Sequence, residues 1–303
     1  MENNQDKPLV SILIPSYNHA KYICNCLDSI AKDNYPNKEI IVIDDGSKDE
    51  SVFVIQEWYE ANKATMKYPF KLISRENRGL SKTLNELISH SQGKYIYSIA
   101  SDDFLLMGGI EARVKYLEEN TEKQAVFGDA VIVDCQNEMV VNSLLNQNGR
   151  KRFLNDDTMI ASELIFHWCV SGPLLIIKKM AFDFMGGYDE RLSIEDWDFY
   201  LKLCAKDWLG FIDIPVAAYR IHDKNTSKNP TVWGGSKESL YLSFSNNYQS
   251  FTGLNKWNLY ARMLIVEAKI SKEKNVFTKF FTLQIGRTLS KITKWLYKMK
   301  TGF

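Results

Sequence analysis

The chain has 303 residues, 45% of them hydrophobic and 25% charged, with a net charge of +1. That balance belongs to an ordinary soluble globular protein, long enough for one large α/β domain with an appendage, and it leaves no global field to attract nucleic acid. The five cysteines, Cys24, Cys26, Cys135, Cys169 and Cys204, are odd in number and mostly in apolar context, which argues against a disulfide framework and suits a reducing cytoplasm.

The polar start, Met1 to Lys7, lacks the basic-then-apolar order of a signal peptide. Val10 to Pro15 reads as a first strand, and Asn18 is placed to cap a helix carrying Tyr22, Ile23, Leu27 and Ile30. Glu39 to Ile43 is a second strand, ending in Asp44-Asp45-Gly46-Ser47, where Asp44 suits turn chemistry. A helix with Val52, Ile55, Trp58 and Tyr59 on its stripe follows, then a third strand, Phe70 to Ile73, and the polar loop Arg75 to Gly79. The next helix carries Leu80, Leu84, Leu87 and Ile88 on its apolar face, and the apolar run Tyr95 to Ala100 is a buried fourth strand. This βαβαβαβ order predicts a largely parallel sheet with helices on its faces. Ligands of such sheets sit outside the carboxyl ends of the strands.

From about residue 125 the pattern changes. Ala125 to Phe127, Ala130 to Val133 and Leu174 to Ile177 read as strands, and Asn142 to Asp157, with Asn146-Gln147-Asn148-Gly149, reads as a mobile loop. Glu195-Asp196 opens a helix with Trp197, Tyr200, Leu201 and Leu203, where carboxylates suit the helix dipole. Ala217 to His222 is a last strand and its exit, and residues from about 233 onward look helical. The division expected is a catalytic domain over residues 1–230 and a helical extension over 231–303.

The final helix is amphipathic. Ile285, Leu289, Ile292, Leu296 and Met299 fall on one side, and Arg287, Lys291, Lys294 and Lys298 on another. From Ser271 to Phe303 there are eight Lys or Arg against one Glu, a net +7, which leaves −6 on the rest of the chain. Such a helix suits anionic lipid headgroups; the alternative is a packing helix with a solvated basic face. No apolar run approaches the roughly 20 residues that span a bilayer, so any membrane contact is expected to be peripheral.

Two acidic pairs stand out, Asp102-Asp103 and Glu195-Asp196. Two carboxylates at the end of a buried strand are costly unless a cation or a donor-rich ligand meets them. There is no G-x-G-x-x-G, no P-loop and no nucleophile elbow, and no Cys/His cluster has zinc spacing. Carboxylates at strand ends suit a hard cation such as Mg²⁺ or Mn²⁺ shared with substrate phosphates.

Five segments in order, Val10 to Asn18, Glu39 to Ser47, Asn77 to Ser81, Ser101 to Asp103, and Gly186 to Glu190 leading to Glu195-Asp196-Trp197-Asp198, resemble the family 2 glycosyltransferases over roughly residues 8 to 225. The resemblance implies the GT-A fold, a Rossmann-like, mostly parallel central sheet flanked by helices. It also implies a nucleotide-diphosphate-sugar donor, with UDP favoured over GDP or dTDP, and a divalent metal, Mn²⁺ or Mg²⁺. Residue by residue, it places Asp45 on the nucleotide base and Tyr17 against the base with Pro15 beside it. It places Asp102 at the ribose or the metal, Asp103 on the metal and His222 on the metal or diphosphate. Arg78 and Lys82 are possible cations near the nucleotide or phosphates, and Asp196 is the catalytic base. Glu195 and Trp197 fall on the acceptor side. Trp168, Trp208 and Trp233 are further candidates for a sugar site, with core packing as the alternative. One departure is Ser101, where a D-x-D motif ending at Asp103 needs an acid.

The implied reaction is an inverting, single displacement at the anomeric carbon, with the two acidic pairs across one cleft. The expected acceptor is a glycan hydroxyl on a polyprenyl-diphosphate-linked O-antigen or capsule intermediate, met at the cytoplasmic face of the inner membrane through the last helix. The alternatives are a protein or soluble glycan acceptor, and a non-catalytic nucleotide-sugar-binding or scaffold protein.

Overall fold

A computed structural model describes residues 7–146, 149, 151–167, 170, 172–223, 225, 230–271 and 275–302, without the side chains of 230–236 and 276. The Trp168 and Trp233 rings, Cys169, Gln147, Asn148 and the stretches 1–6 and 272–274 lie outside the described residues. The chain divides into two compact units. The first comprises Met1–Asn155, Val170–Tyr188 and Trp208–His222; the second comprises Asp156–Cys169, Asp189–Asp207 and Asp223–Phe303.

The first unit holds one nine-stranded sheet. Strands β1 (Val10–Ser16), β2 (Lys38–Asp44), β3 (Phe70–Ser74) and β4 (Tyr95–Ser98) pair in parallel in the order β3-β2-β1-β4. The β-branched and aromatic residues of β1, β2 and β4 are buried on both faces, as parallel strands require, while Phe70 and Ile73 of the edge strand β3 are half-buried. Val10, Ile12 and Ile14 share one face of β1 by their period of two. They join a core with Leu27 and Ile30 of α1 (Ile23–Lys32), Ile55 and Trp58 of α2 (Ser51–Asn62), and Val114 and Leu117 of α4 (Gly109–Glu119). Helix α3 (Leu80–His90) packs on β1 and β2. Because β2 and β4 leave β1 in opposite directions, a switch point opens between the carboxyl ends of β1 and β4.

Beyond β4 the sheet is mixed. Strand β8 (Leu175–Lys178) runs antiparallel to both β4 and β6 (Ala125–Val133), and β6 runs parallel to β9 (Leu209–Arg220). The short β5 (Phe104–Leu105) pairs antiparallel with β9, and β7 (Met139–Val141) hangs on β6. The two strands expected at 125–127 and 130–133 are one strand whose register against β9 shifts around Asp129, a bulge of the kind that re-aims side chains. The last strand begins at Leu209, well before the expected Ala217. Its pairing with β5 carries the end of β9 alongside Asp102-Asp103. A short helix α6 (Lys179–Met185) follows β8.

Three local expectations are corrected. Asn18 does not cap α1: it sits in the left-handed region and its Oδ1 accepts from Lys48 N at 2.7 Å. The helix begins later, after Tyr22, with no side-chain cap. Leu80 is exposed at the first position of α3 instead of packing with Leu84 and Leu87. The described part of the 142–157 segment is pinned. Asp129 accepts from Ser143 Oγ at 2.5 Å and Leu145 N at 3.1 Å, and pairs with Lys151 Nζ at 2.8 Å. Leu145 and Leu154 are buried.

The second unit is helical: α5 (Asp157–Phe166), α7 (Glu195–Ala205), α8 (Pro230–Asn247), α9 (Gly253–Ile270) and α10 (Val276–Thr301). Asn247 Nδ2 on α8 donates to Asp198 Oδ1 on α7 at 2.7 Å, and Arg262 on α9 donates to Phe166 O at 3.1 Å. Among the described residues no helix is long and apolar enough to cross a membrane.

Candidate active site

The turn after β2 is built for its acids. Asp44 Oδ1 accepts from Ser47 N at 2.9 Å and its Oδ2 from Ser47 Oγ at 2.6 Å, the turn role expected of it. Gly46 has φ +77, and a Cβ there would lie 2.7 Å from Asn77 N, so only glycine lets this turn meet the 75–79 loop. That loop feeds Asp45. Asp45 accepts from Arg78 N at 2.8 Å, from Gly79 N at 2.9 Å and from the Arg75 guanidinium. A carboxylate offers about four lone-pair sites, which leaves room for one donor more. Arg75, which sequence reasoning passed over, also donates to Glu86 at 2.8 Å and to Thr83 at 2.9 Å. Arg78, named for its charge, contributes its backbone N–H to Asp45, while its side chain is exposed beside Glu86 at 3.8 Å. Lys82 is exposed on α3. Pro15 lies in β1 opposite Ile43, and Tyr17 follows that strand with 45% of its surface exposed.

At the end of β4 the two aspartates part company. Asp103 is fully buried, and its Oδ1 accepts from Arg220 N at 2.8 Å. Burial, then the neighbouring Asp102 charge, hold the Asp103 carboxyl well above the ordinary range, against the pull of the Arg220 N–H. Asp102 instead turns its Oδ2 to two imidazoles, His222 Nε2 at 2.9 Å and His19 Nε2 at 3.7 Å. The donor atoms of His19, Asp102 and His222 all lie within 4.8 Å of one another. His19 is set by its second nitrogen, with Nδ1 2.8 Å from Ser101 Oγ, and by its backbone N–H, which donates to Ser51 Oγ at 3.0 Å. Ser101, the missing acid of the motif, thereby orients an imidazole. Two nitrogens and a carboxylate oxygen fit a divalent cation that completes its shell with phosphate oxygens and water.

Arg220 locks this corner. Its Nε donates to Asp102 O at 2.7 Å, and its Nη atoms donate to Asn137 Oδ1 at 2.5 Å and Asn25 Oδ1 at 2.7 Å. The guanidinium lies over the Tyr22 ring at 5.0 Å and the Phe104 ring at 5.4 Å, and the Tyr22 ring lies 4.8 Å from that of His222. One buried cation thus fixes the aspartate turn and the strand exit that delivers His222. His19 and Arg220 were missed because the first precedes a helix and the second sits inside a strand, with no motif of their own.

In the second unit Glu195 and Asp196 begin α7. Burial, then the Asp196 charge, push the Glu195 carboxyl up to about 8. Burial pushes Asp196 up to about 6, although its Oδ1 accepts from Trp197 N at 2.7 Å. Trp197 meets Phe244 edge-on at 5.4 Å, and Arg262 lies 5.9 Å from its ring centre. Trp208, in the first unit, packs 5.5 Å from Phe184. Both rings have aromatic neighbours of the kind expected of packing residues.

Known proteins resemble this chain in sequence and in fold. A glycosyltransferase of Rickettsia prowazekii, itself uncharacterized, is 27% identical over 99% of this chain and 100% of its own length. The chondroitin synthase of Pasteurella multocida is 35% identical over 84% of this chain, which spans 26% of that larger protein. Among solved structures, S. aureus TarS in complex with UDP-GlcNAc superposes with a TM-score of 0.63 at 18% identity, covering 91% of this chain and 79% of that one. A mannosyltransferase of Pyrobaculum calidifontis in complex with GDP-Man and Mn²⁺ gives 0.62 at 18% identity, over 95% and 75%. These likenesses confirm the GT-A architecture around the mixed sheet. The sequence model described as glycosyl transferase family 2 matches residues 11–182, more than half of the chain. The chain belongs to glycosyl transferase family 2 and is a glycosyltransferase.

Proposed function

We propose that the enzyme moves a sugar from a nucleotide-diphosphate sugar, with UDP as the nucleotide, to a hydroxyl of a glycan acceptor, inverting the anomeric centre. The carrying observation is the pairing, at one sheet edge, of the Asp45 turn with the His19, Asp102 and His222 cluster. The neighbour solved with UDP-GlcNAc supports a UDP-sugar, the relative named chondroitin synthase supports a glycan acceptor, and the neighbour solved with GDP-Man and Mn²⁺ supports the cation. In this reading Asp45 receives the base, Tyr17 and Pro15 flank it, and Arg78 and Lys82 lend positive charge near the phosphates.

Asp103 and His222 are the proposed metal ligands, with Asp102 and His19 of the cluster as further ones. Mixed nitrogen and oxygen donors favour Mn²⁺ over Mg²⁺, which prefers oxygen. A cation held there supplies Lewis-acid stabilisation of charge on the departing diphosphate. Asp196 takes the proton of the acceptor hydroxyl, and its raised pKa suits a base working near neutral pH. Glu195 and Trp197 are assigned to the acceptor side. Residues 1–230 are taken as the catalytic domain and 231–303 as its extension. The proposed acceptor is a polyprenyl-diphosphate-linked glycan at the cytoplasmic face of the inner membrane.

The test is transfer from a panel of UDP-, GDP- and dTDP-sugars to lipid-linked and soluble acceptors, with Mn²⁺ or with EDTA. Transfer should need Mn²⁺ and a UDP-sugar, and the product should carry the inverted linkage by NMR. Asp196→Asn should lower kcat by about 10²–10⁴-fold, the range of general base catalysis, with UDP binding intact. Wild-type turnover in Asp196→Asn, or full turnover in EDTA, would refute the mechanism.

A further inference from the structure

Helix α10 is attached to its unit by an unexpected face. The inward positions are small or polar: Gly286, Thr293 and Tyr297 are buried. A Cβ at Gly286 would lie 2.9 Å from Ile265 Cγ1 and 3.0 Å from Ala261 O, so glycine allows α10 to lie close on α9. Thr293 Oγ1 reaches Asn258 Oδ1 at 3.5 Å, and the Tyr297 ring stacks on Phe166 at 4.3 Å.

The large apolar side chains point the other way. Phe277, Phe281, Ile285, Ile292, Trp295 and Met299 are between 49% and 75% exposed. Their spacings of three, four and seven put them on one stripe. Exposed Arg287, Lys291, Lys294 and Lys298 run along one flank of it. The helix holds six Lys or Arg and no Asp or Glu.

We infer that this stripe is a docking face for an anionic phospholipid surface, on which α10 lies in the plane of the interface. The apolar side chains enter the headgroup boundary while the flanking lysines keep their ammonium groups among the phosphates. Spanning is excluded for a helix of this composition. A second copy of the chain is a poor occupant, because a two-fold contact sets the same basic flank against itself. The inference deepens the lipid-linked acceptor reading above by naming the surface that meets the membrane. The face itself is argued without reference to the donor.

The experiment is co-sedimentation of the full chain with vesicles of phosphatidylglycerol and phosphatidylethanolamine, against vesicles of phosphatidylcholine. The chain should partition to the anionic vesicles and be released by salt. Phe281→Ser with Ile292→Ser and Trp295→Ser, and separately Lys291→Gln with Lys294→Gln and Lys298→Gln, should each weaken partitioning by at least about tenfold. Neither set should alter Tm or UDP–Mn²⁺ binding, since neither touches the packed face. No binding by the wild type, or undiminished wild-type binding by both variants, overturns the inference. So does a dimer in sedimentation equilibrium that the serine variant breaks while vesicle binding is unchanged. Failure on vesicles with sugar transfer intact sinks the docking face alone; loss of transfer with vesicle binding intact sinks the transferase reading alone.

Discussion

At the scale of single residues, the proposed metal site depends on imidazoles whose tautomers are set by neighbours. Removing His222 deletes a proposed ligand atom, whereas Ser101→Ala only frees the His19 ring to turn. In calorimetric titration of Mn²⁺ in the presence of UDP, Ser101→Ala should weaken binding about tenfold, the low end for an orienting partner. His222→Ala should weaken it further, and His19→Ala should match or exceed the Ser101→Ala effect. Unchanged Mn²⁺ affinity in His19→Ala would remove that residue from the ligand set. Glu195 supplies a different test. Its folded pKa is raised by burial to about 8, above the ordinary value of about 4.3. The folded state therefore binds more protons than the unfolded chain between those values, and stability falls as pH rises through that window. Glu195→Gln removes this titration. Its Tm relative to wild type should rise steadily from pH 5 to pH 8, where a parallel pair of curves would show that Glu195 is not held protonated.

Among the elements, what sequence pattern could see was the parallel half of the sheet. Val10, Ile12 and Ile14 alternate, Asp44 and Gly46 mark a turn, and Leu84, Leu87 and Ile88 repeat with helical period. All of these are local signals. Antiparallel β8, the bulge at Asp129 and the β5–β9 pair depend on partners far away in the chain, which no local period encodes. The 142–157 segment illustrates the loss: its polar, turn-rich composition predicts mobility, yet buried Asp129 on β6 gathers Ser143, Leu145 and Lys151. Lys151 also pairs with Asp213 on β9. Lys151→Met leaves the Asp129 carboxylate buried without its cation and should cost about 2 kcal/mol, below the full penalty for a deeply buried pair because Lys151 is partly exposed. Urea unfolding would read the change. Adding Asp129→Asn to Lys151→Met should recover part of the loss, and strict additivity of the two would mean that the pair is not coupled.

For the molecule as a whole, the acidic pairs divide between the two compact units: Asp102 and Asp103 belong to the first, Glu195 and Asp196 to the second. The segments that carry the family likeness were legible because they are contiguous runs with turn residues inside them. His19, Arg75 and Arg220 were not, because their roles arise only when β1, the 75–79 loop and β9 meet the ends of β2 and β4. This division predicts where ligand protection should appear. A ligand that binds only the folded state stabilises it by about 2.7 kcal/mol at 100 times its Kd. That stabilisation slows amide exchange only for openings that disrupt the ligand's contacts. UDP with Mn²⁺ should therefore slow exchange at residues 15–19, 44–47, 75–79, 101–105 and 218–222. Exchange in α9 and α10 should stay unchanged where those helices open independently of the first unit. EDTA should abolish the protection at 101–105 and 218–222 and leave a weaker remnant at 44–47 and 75–79, where the base is assigned to Asp45 rather than to the cation. Protection confined to the second unit would place the nucleotide elsewhere, and protection that EDTA does not diminish would separate nucleotide binding from the His19, Asp102 and His222 cluster.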